Sequence, residues 1–160
     1  TKAMRLNPSL KWNVHRVGAI REEVMFITIS KDNAIHAAVR PNHIHVLQPN
    51  GDPRQPWTEQ IIKYSADKYG TAKAARAADL DEDGQIEIAV SCEAANGSKS
   101  GVFYLKQNKG KWVDYDIGGP QGLKYDRIEL LDLDGDGDLD LLTCEERDFN
   151  AVLWYENPLK

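Results

Sequence analysis

One acidic segment occurs twice in this chain, and the duplication limits the folds available to it. The run Ala78-Asp79-Leu80-Asp81-Glu82-Asp83-Gly84-Gln85-Ile86-Glu87-Ile88 returns 53 positions later as Leu131-Asp132-Leu133-Asp134-Gly135-Asp136-Gly137-Asp138-Leu139-Asp140-Leu141. Asp79, Asp81, Asp83, Gly84 and Glu87 meet Asp132, Asp134, Asp136, Gly137 and Asp140. Downstream, Gly101-Val102-Phe103-Tyr104-Leu105 corresponds to Ala151-Val152-Leu153-Trp154-Tyr155, β-rich runs of the kind that form strands. A repeat of about fifty residues means stacked copies of one supersecondary unit, and that length suits one blade of a β-propeller.

A decayed third copy precedes these two. Thr28 to Val39 aligns with Asp79 to Val90 at a spacing of 51, placing Thr28, Ser30 and Asp32 where the acids stand, Asn33 at the glycine and His36 at Glu87. Asn tolerates the left-handed conformation a glycine takes there, so the loop shape is expected to survive while its charge is lost. A second recurring element pairs a Trp with an aliphatic residue five positions on: Trp12–Val17, Trp57–Ile62 and Trp112–Ile117.

Together these features predict an all-β chain of twelve strands: three four-stranded propeller blades at about 20–66, 68–118 and 122–160, with strand 12–17 completing the last blade. Pro49-Asn50-Gly51-Asp52-Pro53, Ala95-Asn96-Gly97-Ser98, Asn108-Lys109-Gly110 and Gly118-Gly119-Pro120-Gln121-Gly122 supply turn chemistry between strands. Thr71–Leu80 is rich in helix formers, but its counterpart Lys124–Leu133 is much less so. Equivalent repeat positions share a structure, so both are read as strands. Three blades do not close a ring, whereas two copies exchanging their terminal strands would form a six-bladed homodimer. A chain belonging to a longer propeller is the other reading.

The charge is uneven in a way that bears on the loops. Net charge is −5, yet ten of the 25 acids lie in the two loops, leaving 15 acids against 20 Lys and Arg elsewhere. Five carboxylates within nine residues repel one another unless a cation sits among them. Such loops also repel a phosphate backbone, which argues against nucleic acid there. Acids at positions 1, 3, 5 and 9, with a backbone carbonyl at position 7, assemble two oxygen-only sets: Asp79, Asp81, Asp83, Gln85 and Glu87, and Asp132, Asp134, Asp136, Asp138 and Asp140. That chemistry suits two Ca²⁺ ions per chain rather than Zn²⁺ or Mg²⁺. An EF-hand is excluded, because its bidentate Glu at position 12 is replaced by Val90 or Thr143 and the flanks are strand-like.

On these loops the chain resembles the FG-GAP or VCBS-type repeat family, whose calcium-loop propeller blades also occur in integrin α chains. The likeness covers about residues 20–160 and includes the ending Leu153-Trp154-Tyr155-Glu156-Asn157-Pro158, which is similar to blade endings of bacterial extracellular proteins of this group. The resemblance implies a propeller, calcium between the first and second strands of a blade, and an extracellular, cell-surface or periplasmic setting. It implies no reaction, since the family holds adhesion modules as well as accessory domains of polysaccharide-degrading enzymes.

No apolar run approaches the ~18 residues of a membrane span, and Thr1 to Arg5 has no apolar signal region, so the chain is read as soluble with any export signal already removed. Cys92 and Cys144 are too few for a disulfide framework and are read as free thiols on opposite strand faces. His43 and His45 share a strand face, and Tyr125 and Arg127 lie on an innermost strand, making these four the candidate ligand-binding residues. Recurring Trp12, Trp57 and Trp112 are read as blade packing, or else as a repeated sugar-stacking platform. The expected function is a calcium-binding extracellular propeller that binds a glycan or protein ligand. A polysaccharide lyase or hydrolase, or an accessory fragment of one, is the alternative.

Overall fold

The computed structural model describes residues 7–18 and 20–160, and among these there is no helix. Eleven strands form three antiparallel sheets in chain order. The first sheet comprises β1 (Val24–Ile29), β2 (Ile35–Val39), β3 (His43–Gln48) and β4 (Thr58–Lys63). The second comprises β5 (Thr71–Ala78), β6 (Glu87–Glu93), β7 (Val102–Asn108) and β8 (Lys111–Asp116). The third comprises β9 (Tyr125–Leu131), β10 (Asp140–Glu145) and β11 (Ala151–Tyr155). Each sheet is a meander, and the acidic segments are the turns from β5 to β6 and from β9 to β10.

The second sheet is the filling of the stack. Along β6 the side chains alternate with period two: Ile88, Val90 and Cys92 join a core with Ala38, Ile44 and Ile62 of the first sheet, while Ala89 joins Tyr125, Ile128 and Leu141 of the third. Ser91, on the second face, donates its hydroxyl to the Asp126 carbonyl. Every residue of β6 is buried, as a strand covered on both faces must be.

β5 is the place where propensity and structure part. Its sequence TAKAARAA favours a helix in isolation, yet it forms an eight-residue strand that packs against β1 and β2 and against β9. Alanines suit this position because a strand pressed between two sheets needs small side chains. Tertiary packing outweighs helix propensities of a few tenths of a kcal/mol per residue.

The twelfth expected strand does not form. Residues 12–17 carry no strand hydrogen bonding beyond Trp57 N–H donating to the Val17 carbonyl at 2.8 Å, and Trp12 and Val14 are 77% and 93% exposed. An isolated extended segment gains no ladder and buries no face, so it stays irregular without a partner. The third sheet accordingly has three strands, and β11 is its edge. Both cysteines are free, Cys92 buried and Cys144 partly so. Burial pushes the Cys92 thiol up to about 12, which makes it an inert packing group.

Candidate metal centres

The two acidic turns repeat one hydrogen-bonding scheme. In the first, Gly84 N–H donates to Asp79 at 3.0 Å, Gln85 N–H to Asp83 at 2.8 Å and Leu80 N–H to Glu87 at 2.9 Å. In the second, Gly137 N–H donates to Asp132 at 3.2 Å, Asp138 N–H to Asp136 at 3.1 Å and Leu133 N–H to Asp140 at 3.0 Å. The turn needs left-handed backbone at two positions, occupied by Glu82 and Gly84 at φ of 57° and 84° and by Gly135 and Gly137 at 83° and 101°. In the decayed copy Asn33 takes φ 65°, as its alignment with Gly84 requires. There Ser30 bonds Asp32, and His36, at the Glu87 position, reaches the Ser30 hydroxyl at 3.1 Å. One carboxylate, a hydroxyl and an imidazole close that turn where carboxylates crowd the other two.

Both acidic turns could hold a metal ion. Carboxylate oxygens of Asp79, Asp81 and Glu87 all lie within 4.8 Å of one another, and so do those of Asp132, Asp134 and Asp136. Carboxylates this close repel one another, and positive charge among them relieves the repulsion. Several oxygens also lack any protein partner while being shut from water: Asp79 Oδ1, Asp81 Oδ1, Glu87 Oε1 and both oxygens of Asp138. Glu87 is wholly buried and Asp138 is 2% exposed. Burial, reinforced by Asp81 for Glu87 and by Asp136 and Asp140 for Asp138, pushes both carboxyls above their ordinary range. An ion in the first turn would supply partners for the Asp79, Asp81 and Glu87 oxygens, and the second turn offers the matching oxygen set of Asp132, Asp134 and Asp136, so the residues present fit a hard, oxygen-liganded cation.

The two centres differ in one respect that the sequence did not reveal. Lys106, from β7, sends its ammonium into the first turn, pairing with Asp81 and with Asp83 at 2.7 Å, 3.8 Å from Glu87. The second turn has a peripheral lysine, Lys160, which pairs with Glu82 of the first turn at 2.7 Å. An internal cation neutralises part of the first cluster and competes with any ion that enters, whereas among the described residues no Lys or Arg pairs with a carboxylate of the second cluster. Asn157 then joins the turns, its N–H on Asp140 at 2.9 Å and its side-chain amide on the Leu80 carbonyl at 2.9 Å and the Leu139 carbonyl at 3.2 Å.

The four ligand-binding candidates are not brought together. His43 and His45 lie on β3 with ring centroids 6.0 Å apart, and His45 is bound through Nδ1 to Glu59 at 2.7 Å. Burial and the nearby Lys63 push His43 below its usual value. Tyr125, on β9, is fully buried and donates its hydroxyl to the Gln121 carbonyl at 2.7 Å. Arg127, two residues on, is exposed and paired with Glu129 at 2.6 Å. Of the recurring tryptophans, Trp112 packs on the core, Trp57 donates to the Pro53 carbonyl at 3.1 Å, and Trp12 stands in solvent.

Sequence reasoning missed Glu145, whose position looked like an ordinary strand end. This carboxylate, 1% exposed, accepts the backbone N–H groups of Leu123, Lys124, Arg147, Asp148 and Phe149 at 2.7–3.1 Å. Five donors on one buried acceptor fix the loops before β9 and after β10. No protein-family model matches the chain, and no curated protein matches it at a significant level.

Proposed function

We propose that the chain is a calcium-binding section of a β-propeller that works outside the cytoplasm as a ligand-binding or adhesion module, with a glycan as the ligand. The observation that carries the reading is the pair of congruent acidic turns, each joining the first two strands of a meander and each holding orphaned carboxylate oxygens. Calcium is the ion that flexible all-oxygen loops of this density favour. Its role is to brace the turns, leaving the sheet faces and the clefts between sheets for ligand. A lyase reading would need a tyrosine and a histidine at one open site. Tyr125 lies in the core with its hydroxyl engaged, so the structure lends that alternative no support. A neutral and acidic glycan array, probed in calcium and again in chelator, tests the module. Calcium-dependent retention of particular glycans is expected, and uniform failure to bind any would overturn the glycan reading.

Propeller closure is the second part of the proposal. Residues 12–17 carry the same Trp signature as the segments that make β4 and β8, the fourth strands of their sheets, and apart from the Val17 carbonyl they stand unpaired. The third sheet lacks that strand, and β11 presents a bare edge with Val152 and Trp154 71% and 47% exposed. On the far side of the stack, Ile27 and Ile29 of β1 are 59% and 65% exposed, an apolar surface that another blade would cover. We therefore assign the edge of β11 to residues 12–17 of a second copy, giving a six-bladed ring of two chains. Light scattering should give twice the 18.0 kDa of one chain. Val14→Pro, which removes a ladder donor, should return it to one. A wild-type monomer at all concentrations would contradict the exchange and leave the edge to a neighbouring blade of a longer chain.

A further inference from the structure

A cleft of about 570 Å³ separates the first and second sheets beside the turn 79–87, a volume typical of small-molecule sites. Four of the chain's six glutamines line it: Gln48 and Gln60 from the first sheet, Gln85 from the acidic turn and Gln107 from the second sheet. Trp112 contributes an aromatic wall and His36 an imidazole. Two ring nitrogens in this wall, His36 Nδ1 and Trp112 Nε1, are enclosed and have no protein hydrogen-bond partner. Enclosed donors and acceptors without partners are costly, and a polar ligand or a small adjustment of the rings toward one relieves them.

The lining selects a chemical class. Amides both donate and accept, and although the Gln85 amide N–H already donates to Asp83 at 3.0 Å, its oxygen and the side chains of Gln48, Gln60 and Gln107 come from both walls of the cleft, so an occupant meets hydrogen-bonding groups on two sides. Anions are disfavoured, because the carboxylates of Asp79 and Asp32 border the cleft against a single lysine, Lys31, and no arginine lines it. A wholly apolar guest would strip water from four amides and give nothing back. An uncharged polyol with one apolar face satisfies both walls: hydroxyls for the amides, ring C–H groups for the indole. Burial pushes His36 below its ordinary value, so its ring is neutral at pH 7 and adds no charge. The neighbouring cleft between the second and third sheets, about 420 Å³, lacks this character. It is walled by Tyr104, Tyr115 and Tyr155, and the Asn157 amide at its side is already bonded to Leu80 and Leu139.

We infer that the cleft between the first and second sheets is the seat of an uncharged sugar unit, gripped by Gln48, Gln60, Gln85 and Gln107 against Trp112. This rests on the glycan-binding reading and gives it a location. Because Gln85 belongs to the acidic turn, an ion that orders the turn also orders one wall of the cleft, coupling sugar to calcium.

The test is a glycan array of neutral and acidic oligosaccharides, followed by solution titration of the best binder, for wild type, Gln60→Leu, Gln107→Leu and Gln55→Leu. Circular dichroism confirms that each variant folds, and Gln55→Leu controls for glutamine loss outside the cleft. Neutral oligosaccharides should bind wild type and Gln55→Leu alike, and each cleft variant should weaken binding about tenfold, the loss of roughly one well-made hydrogen bond. Wild-type binding of neutral sugars unaffected in Gln60→Leu and Gln107→Leu would overturn the cleft while leaving a glycan module standing. Binding of acidic sugars alone would overturn the assigned ligand class. No binding by wild type to any glycan would remove the module reading, and the cleft assignment with it.

Discussion

Glu145→Ala is expected to lose about 3–5 kcal/mol of folding stability, the largest effect of any single substitution considered, and urea denaturation will measure it. Its carboxylate, 1% exposed, is the shared acceptor of five backbone N–H groups, and an alanine leaves all five without that acceptor. Glu145→Gln keeps one acceptor oxygen and should fall between the two. Burial alone would raise the carboxyl, but the donors from Phe149, Lys124, Leu123 and Arg147 outweigh it and hold it at about 2, below the usual 4.5. A depressed value in the folded state means that this stabilisation is complete above about pH 4.5 and is lost as pH falls toward 2. The acid limb of the wild-type stability curve should therefore be steeper than that of Glu145→Gln. Wild-type stability in Glu145→Ala would show that the hub does not hold the loops together.

Removing calcium is expected to lower the melting temperature by roughly 5–10 °C. An ion that binds only the folded chain stabilises it by about 2.7 kcal/mol when present at a hundredfold excess over its dissociation constant, and a chain of this size shifts by ~2–4 °C per kcal/mol. Asp132→Ala and Asp134→Ala should each abolish most of the calcium-dependent rise contributed by the second turn. Asp32→Ala, in the decayed copy where Ser30 and His36 supply neutral contacts, should leave the rise intact. Thermal melts of the four proteins in calcium and in chelator measure this. Equal calcium responses in wild type and Asp134→Ala would detach the ion from that turn.

Much of the fold was legible because it is repeated. The strand at Thr71–Ala78 against its own helix propensity and the left-handed Asn33 both follow from aligning one copy with another. What repetition cannot convey is a contact made by one copy alone. Lys106 in the first turn, Asn157 bridging two turns and Glu145 gathering five amides are each unique to their position, and each depends on chains far apart in sequence meeting in space. Residues 12–17 illustrate the opposite failure. Their pattern announces a strand, but a pattern supplies no partner, and a strand needs one. Tyr125 and Arg127 are both candidate ligand residues on an innermost strand by sequence; Arg127 is exposed, while Tyr125, two residues away, fills the core between the second and third sheets.

The central claim is that the paired turns are calcium sites, and isothermal titration of the chelator-stripped chain with Ca²⁺ tests it most directly. Two ions per chain are expected. The tighter belongs to the turn 132–140, because the turn 79–87 must first displace the Lys106 ammonium from Asp81 and Asp83. Asp134→Ala should remove the tighter event and leave the weaker one. No heat of binding from wild type at millimolar calcium, with an unchanged melting temperature in chelator, would contradict the account.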